Sequence, residues 1–273
     1  MAAVQQYSGG KDFISAAKMN YFHYVLKQLT GGWMIHPSVG FSGKQPWRIG
    51  DMGTQTGVWA IDVAEDFTLN ATVDAFDVSR KFFPPAEWLP PRLTLHVQDV
   101  LAPFPEKLLG KLDLVHFRLF LTLTAEKLGL MVDNAVTLLK PGGYIQWVEH
   151  DKTGLRPVTA SAGQDTSAVE AFVRVQQNPF PNYNPAWVNL IAPTMVAKKL
   201  ELVVEERYQT RPSLLMQMNE LHLLSLVDIA TGLSKPVDDF KERYFDMLAK
   251  DSARGIATVD AFIVVVAKKP LEE

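Results

Sequence analysis

Three carboxylates of this chain stand where predicted strands end, which is where parallel sheets collect ligand-binding groups. Asp51 lies at the end of the first strand that the sequence predicts, Asp77 ends the second, and Asp99 follows the third. Because the carboxyl ends of parallel strands meet at one edge of a sheet, we expect these side chains to lie close together. A single acid could equally be a solvated strand end, whereas three in succession predict a polar ligand site.

The loop after the first strand carries two glycines, Gly53 and Gly57, and leads into a helix with an apolar face. A strand, a glycine-bearing turn and a helix direct backbone N–H groups at one point, which suits an anionic or polar ligand. The spacing does not fit the Gly-x-Gly-x-x-Gly of dinucleotide sites, and the Gly-Lys-Ser/Thr of phosphate-binding loops is absent. The nearby carboxylate of Asp51 favours a ligand that also carries a cation.

The stretch from Trp47 to Trp59, Trp-Arg-Ile-Gly-Asp-Met-Gly-Thr-Gln-Thr-Gly-Val-Trp, resembles motif I, Asp-x-Gly-x-Gly-x-Gly, of the class I S-adenosylmethionine-dependent methyltransferases. The run Gly-Thr-x-Thr-Gly-Val-Trp-Ala-Ile-Asp is similar to the fungal branch that modifies secondary metabolites. The chain departs from the motif at Gln55, where the family has its middle glycine. The resemblance covers about residues 45–151 and, more weakly, the last strand.

The resemblance implies S-adenosyl-L-methionine as the cofactor. Asp77 matches the acid that holds the ribose hydroxyls better than Asp74 does, because Asp74 lies inside the strand. Asp99 matches the acid that accepts from the adenine amino group, and Val100 would offer its backbone N–H to the ring. Charged hydrogen bonds of this kind are worth about 1.5–3 kcal/mol each. The cofactor-binding residues that we expect are Asp51, Gly53, Thr54, Gly57, Asp77, Asp99, Val100 and Phe117.

Catalytic candidates follow the fourth and fifth strands. His116 could act as a general base and Arg118 could bind an anionic substrate; equally, they could be a strand residue satisfied by the backbone and a cap on surface acids. The fifth strand ends in Gln-Trp-Val-Glu-His-Asp, which resembles the fungal Gln-Trp-x-Glu stretch but has Val148 where an acid commonly stands. Glu149 and His150 are the other catalytic candidates, and a purely structural strand end is the alternative.

Apolar periodicity predicts strands joined mainly by helices, and hence a mostly parallel sheet. The predicted strands are 48–52, 71–77, 93–97, 112–117, 144–149, 200–205 and 259–266. The predicted helices are 11–30, 57–64, 125–139, 167–177, 185–199, 214–230 and 238–250. With the resemblance, this predicts an α/β class I methyltransferase (Rossmann-like) fold: a seven-stranded sheet with an antiparallel last strand and an added helical cap. The expected segments are an N-terminal cap, a cofactor-binding core, a cap insertion and a C-terminal completion of the sheet, at 1–46, 47–151, 152–199 and 200–273.

Two segments contain more aromatic residues than connectors require, namely the helix over 11–30 and the stretch from Phe180 to Trp187. We expect both to cover the carboxyl edge of the sheet and to enclose a flat, apolar acceptor, although the aromatics could instead anchor the cap. The acceptor-binding residues that we expect are Tyr21, Tyr24, Arg118, Tyr183 and Trp187.

Composition excludes several other classes. The net charge is −3 and basic residues are scattered, which argues against nucleic acid as a partner. The chain contains no cysteine, and no histidines have a recognised ligand spacing, so we expect no metal. The apolar runs are too short to span a bilayer and no signal peptide is evident, so we expect a cytoplasmic protein without a membrane partner.

These observations favour methyl transfer from S-adenosylmethionine to a heteroatom, oxygen first, of a small secondary metabolite. The alternative is a methyltransferase-like protein that binds the cofactor without methylating, and either promotes a cyclisation or isomerisation or acts as a regulator. Gln55 and Val148 are the departures that favour this alternative. Formation of the demethylated cofactor would separate the two.

Overall fold

The computed structural model describes residues 13–41, 45–66, 68–120, 123–178, 183–232 and 246–271, and a seven-stranded sheet lies at its centre. The strands are β1 Trp47–Met52, β2 Ala71–Asp77, β3 Leu93–Val97, β4 Leu112–Arg118, β5 Leu139–Thr159, β6 Glu201–Gln209 and β7 Ile256–Lys268. Their order across the sheet is β3-β2-β1-β4-β5-β7-β6. Strands β1 to β5 pair in parallel, and β7 runs antiparallel to both β5 and β6.

Helices cover both faces of this sheet. They are α1 Phe13–Leu29, α2 Val58–Glu65, α3 Ala125–Leu138, α4 Ser167–Gln177, α5 Ile191–Ala197, α6 Leu215–Gly232 and α7 Asp246–Ala253. Short 3-10 helices occur at Pro37–Val39, Arg80–Phe82, Ala86–Trp88, Glu106–Leu108, Pro185–Leu190 and Pro212–Leu214. No helix within the described ranges is long and apolar enough to cross a membrane. Phe180 and positions 238–245 of a predicted helix lie outside the described residues.

Strand residues alternate between the two faces, and this alternation sorts the candidate site residues. Phe117 and Trp147 pack into the cluster that contains the buried side of α3, which we call the α3 face. Leu114 packs against Trp59 of α2 on the opposite face, where α1 and α6 also lie, and we call this the α1 face. When two candidate site residues follow each other in a strand, their side chains therefore lie on opposite faces of the sheet.

The expected fold is confirmed, and the observed bounds of β2, β3 and α4 are those predicted. The main difference is β5, which was predicted over 144–149 but runs from Leu139 to Thr159. Its beginning includes Lys140-Pro141-Gly142-Gly143, a run that is typical of a helix end and not of a strand. Beyond Asp151, its side chains are exposed or half-buried except for Leu155, so no apolar alternation marks the strand in the sequence. Pairing with β7 over Arg156 to Thr159 holds this extension in the sheet.

The segment predicted as a cap insertion, 152–199, does not form one unit. It begins inside β5, and its first helix, α4, packs against β5 and α7. Its second helix, α5, contributes Ile191 and Met195 to the core on the α3 face. The material that covers the α1 face comes largely from α1 and α6, which pack against each other and share a core cluster.

Candidate cofactor and acceptor site

The loop between β1 and α2 has a left-handed backbone at three positions. Gly53 has φ +72° and Gly57, the residue that caps α2, has φ +78°. Gln55 adopts φ +51°, a conformation that glycine takes far more readily than a residue with a side chain. The backbone of Gln55 is thus left-handed at the position where motif I has its middle glycine.

Gly53 is also the point of closest approach in this loop. A Cβ atom placed on Gly53 would lie 2.7 Å from the ring of Phe120, which follows β4. The backbone N–H groups of Gly53 and Thr54 both donate to the carbonyl of Phe76 in β2, at 2.8 and 2.9 Å. Any side chain larger than hydrogen at Gly53 would therefore displace either the loop or the Phe120 ring.

Two acids hold neighbouring loops through main-chain bonds. Asp77 Oδ2 accepts from the N–H of Gln55 and Oδ1 from that of Ser79, both at 2.9 Å. Asp99 Oδ1 accepts from the N–H of Leu101 at 2.9 Å. Both acids therefore stand at the carboxyl edge as predicted, with Asp77 joined directly to the glycine loop.

Two buried polar atoms in the same loop have no partner among the described residues. They are Thr54 Oγ1 and Gln55 Oε1. Buried polar groups are nearly always hydrogen-bonded, and an unpaired one costs about 1–3 kcal/mol. A polar ligand in the loop would satisfy both atoms. This loop, with its left-handed backbone and the adjacent Asp77, therefore fits a cofactor of the expected kind.

Asp51, the third acid, is engaged on the α1 face. Its Oδ1 lies 2.8 Å from Nδ1 of His116, the neighbouring residue on β4. The His116 ring stacks on Trp59 with 3.7 Å between ring centroids, and burial lowers its pKa while Asp51 opposes the shift. Asp51 is thus hydrogen-bonded to His116 inside the protein, and its predicted contact with a ligand cation stays a prediction.

Arg118 is engaged as well. Its Nη1 donates to Nδ1 of His23 on α1 at 3.1 Å, and His23 Nε2 lies 3.1 Å from Asp62 on α2. Burial lowers the pKa of Arg118 to about 10, so the guanidinium is still charged at neutral pH. The cavity beside Arg118 and His116 has a volume of only about 20 Å³. Arg118 thus joins β4 to α1 and α2, and this position does not favour the anion-binding role predicted for it.

Glu149 and His150 point to opposite faces of β5. Glu149 Oε2 accepts from the N–H of Phe120 at 2.8 Å, and Oε1 accepts from the N–H of His150 at 3.1 Å. Burial raises the pKa of Glu149 to about 7, although these N–H bonds oppose the rise. His150 stacks on Phe262 of β7 at 4.8 Å, on the α1 face. The two candidates therefore cannot serve one reacting group from the same side.

No protein-family model matches the chain, but curated fungal proteins do. The N-methyltransferase tcpN of Claviceps purpurea is 30% identical over 169 residues, 60% of this chain and 60% of that protein. Methyltransferase grgD of a Penicillium species is 35% identical over 143 residues, 50% of this chain and 49% of that protein. The secondary metabolism regulator LAE1 of Gibberella fujikuroi is 35% identical over 106 residues, 38% of this chain and 33% of that protein. The chain thus spans about half to three fifths of the length of the first two relatives.

Solved structures match over nearly the whole chain. The [4+2]-cyclase SpnF has a TM-score of 0.54 at 17% identity, and the match covers 94% of this chain and 96% of SpnF. A geranyl diphosphate methyltransferase in complex with SAM has a TM-score of 0.52 at 13% identity, covering 94% and 91%. The chain has the class I methyltransferase fold. At such identities these structures show the fold alone, while the fungal relatives confirm the resemblance that motif I carries.

Within the class I methyltransferase fold, the expected acceptor-binding aromatics are divided. Tyr21 donates its hydroxyl to Glu220 of α6 at 2.5 Å, and Tyr24 is 56% exposed. Tyr183 is half-buried, and burial together with the nearby charge of Glu149 raises its pKa to about 12. Trp187 is only 4% exposed and belongs to the core on the α3 face. Trp187 therefore anchors its segment to the core, and its contact with the acceptor stays a prediction.

Sequence reasoning missed two polar residues that the fold brings together with His150. These are His222 on α6 and Asp260 on β7. The three residues lie dozens of positions apart along the chain, and their spacing matches no known motif. The only signal in the sequence is that Asp260 interrupts an otherwise apolar strand.

Proposed function

We propose that the protein binds S-adenosylmethionine at the carboxyl edge of β1, β2 and β3 and transfers its methyl group to a heteroatom of a small metabolite. The observation that carries the proposal is the glycine loop next to Asp77, in which the buried atoms Thr54 Oγ1 and Gln55 Oε1 have no hydrogen-bond partner within the described part of the chain. Several fungal relatives are named N-methyltransferases, which favours nitrogen as the acceptor atom over the oxygen that we expected first.

The residues that would hold the cofactor have separable tasks. Asp77 would accept from the ribose hydroxyls, and Asp99 and Val100 would bind the adenine ring. Gly53 leaves the loop backbone uncovered by a side chain where the ligand must approach. Glu149 positions Phe120, because its carboxylate binds the Phe120 N–H and so fixes the ring against Gly53. The direct catalytic roles predicted for His116, Glu149 and His150 stay predictions.

Alignment is the main contribution that such a protein makes to methyl transfer. S-adenosylmethionine supplies a methyl group that its sulfonium has already activated. Holding an acceptor in line with that methyl can correspond to effective molarities of about 10⁵–10⁸ M. The aromatic side chains of Tyr21, Tyr24 and Tyr183 lie on the segments expected to cover the site, and they suit a small acceptor with an apolar ring.

A second function stays open for a specific reason. SpnF, whose fold matches nearly the whole chain, is named a [4+2]-cyclase, and LAE1 is named a regulator. A chain with this fold could therefore bind S-adenosylmethionine without using its methyl group. Incubation with labelled S-adenosylmethionine and fungal extract separates the two, because only methyl transfer yields stoichiometric S-adenosylhomocysteine and a labelled small molecule.

The cofactor assignment is tested by calorimetry with S-adenosylmethionine and S-adenosylhomocysteine. Loss of the ribose bonds in Asp77→Ala should weaken binding by about 10- to 100-fold, as expected for charged hydrogen bonds of about 1.5–3 kcal/mol. Asp99→Ala should weaken it as well, and this acid does not hold the glycine loop. The matched control is Asp74→Asn on the same strand, because Asp74 is paired with Arg48 and His96.

The control variant should bind like the wild type. Circular dichroism should show that all three variants are folded. Unchanged affinity in both Asp77→Ala and Asp99→Ala would overturn the assignment. Equal losses in all three variants would mean that the strand, and not the site, had been damaged.

A further inference from the structure

A cluster of three metal-ligating side chains lies on the α1 face, away from the glycine loop. His150 comes from β5, His222 from α6 and Asp260 from β7, and their ligand atoms all lie within 4.8 Å of one another. All three are buried, with 8%, 5% and 1% of their surfaces exposed. Three separate elements thus converge on one point with two imidazoles and one carboxylate.

Both rings approach the same carboxylate oxygen. Nε2 of His222 lies 2.8 Å from Asp260 Oδ2, and Nε2 of His150 lies 2.9 Å from it. The contact of His150 lacks the alignment of a hydrogen bond, so its Nε2 has no hydrogen-bond partner among the described residues. Asp260 Oδ1 is likewise buried without one. Two unsatisfied atoms in one buried cluster point to a missing ligand between them.

Groups around the cluster fix the orientation of its rings. Nδ1 of His222 lies 2.9 Å from Thr258 Oγ1, which directs Nε2 towards Asp260. The His150 ring is stacked on Phe262 and contacts the edge of Phe22. Metal-binding histidines usually use one nitrogen for the ion and the other for such an outer partner. The His222–Thr258 pair has this arrangement.

We propose that His150, His222 and Asp260 bind one divalent transition-metal ion of the zinc type. Two imidazole nitrogens and one carboxylate oxygen are a typical ligand set for zinc, which keeps a fourth position for water or another ligand. Ligand atoms about 2.0–2.2 Å from a tetrahedral ion lie roughly 3.3–3.5 Å apart. Each imidazole Nε2 must therefore move about half an ångström further from Asp260 Oδ2 to admit the ion.

The charges around the cluster and the elements that carry its ligands define what the ion would do. Asp260 supplies one negative charge, and the cation of Lys152, which faces the same region, is held by Gln176 Oε1 at 2.9 Å. The ion would join α6 to the two long strands β5 and β7 and would leave one coordination position open. This inference does not depend on methyl transfer, and it departs from our expectation that no metal is bound.

The experiment uses the full chain without an affinity tag, treated with chelator and then titrated with Zn²⁺ or Co²⁺ by calorimetry and visible absorption. We expect one ion per chain, the intense absorption of four-coordinate Co²⁺, and a melting temperature raised by several degrees, since an ion that binds only the folded state stabilises it. Failure of the wild type to bind either ion would overturn the proposal.

Variants assign the binding to this cluster. Outer-shell changes usually cost about 10–100-fold in affinity, so the nearly isosteric Thr258→Val should weaken binding by about 10-fold and His222→Gln by at least about 100-fold. The matched control is His96→Gln, which removes an imidazole that is 2.8 Å from a carboxylate elsewhere, that of Asp74. Unchanged affinity in both Thr258→Val and His222→Gln would refute the site, as would an equal loss in His96→Gln.

Discussion

His23 should make the folded protein sensitive to mild acid. Its side chain is fully buried, Nδ1 accepts from Arg118 Nη1, and Nε2 faces Asp62. This pattern requires a neutral ring, with its proton on Nε2 and its lone pair directed at the guanidinium. A second proton would have to sit on Nδ1, facing a cation in a buried site. The contact with Arg118 is therefore compatible with only one protonation state of His23.

The size of the effect follows from the pKa. Burial, with the charge of Arg118, lowers the pKa of His23 from 6.5 to about 4, although Asp62 opposes the shift. A shift of one pKa unit corresponds to about 1.4 kcal/mol, so the lowered pKa of His23 is equivalent to about 3 kcal/mol of unfolding free energy. The sign is that of a depressed pKa: between pH 6.5 and 4 the unfolded chain holds the proton and the native state does not. This contribution is present above pH 6.5 and is lost as the pH falls towards 4.

Urea unfolding at pH 7.5 and at pH 4.5 measures this loss directly. The variant His23→Gln keeps an acceptor for Arg118 and a donor for Asp62 but cannot titrate. It should lose about 2–3 kcal/mol less stability on acidification than the wild type does. The control variant His96→Gln should still show the loss of unfolding free energy at low pH that His23 causes in the wild type. Equal losses in the wild type and in His23→Gln would refute the reasoning.

Three smaller changes test the loop and the cap. Gln55→Gly should raise the free energy of unfolding by up to about 1 kcal/mol, because glycine adopts the left-handed backbone without strain; a lower value in urea titrations would contradict this. Gly53→Ala should destabilise by about 1–3 kcal/mol in the same assay, because its Cβ would lie 2.7 Å from Phe120; wild-type stability would mean that the ring moves freely. Tyr21→Phe should cost less than about 1 kcal/mol, since its bond to Glu220 is exposed; a melting temperature lowered by more than about 5 °C would show a larger role.

The features that could be predicted from the sequence are those that depend on local pattern. Strands β2 and β3 end in turns and acids, and their apolar alternation gives both bounds correctly. The glycine loop was recognised from its place between a strand and a helix and from its resemblance to motif I, and its left-handed positions are where the motif puts glycines. The extension of β5 was missed because its pairing with β7 is decided by residues about a hundred positions later, which no local pattern reveals.

The groups that bind each charged side chain within the protein explain why some predicted ligand residues are still oriented by the main chain at the edge of the sheet and others are paired with distant side chains. Asp51, Asp77 and Arg118 are all charged groups at strand ends, and in the sequence they look alike. Asp77 is held by main-chain N–H groups, which every sequence supplies and which orient the carboxylate without neutralising it.

Asp51 and Arg118 each pair with a histidine from another element, His116 and His23 respectively. Such a pair occupies hydrogen-bonding positions of the charged side chain and holds that side chain beneath α1 and α2. A strand-end charge is therefore a good candidate for ligand binding when backbone groups hold it, and a poor one when a distant side chain does. That distinction depends on tertiary contacts, which is why the sequence could identify the edge of the sheet but could not show which of its charged side chains are paired within the protein.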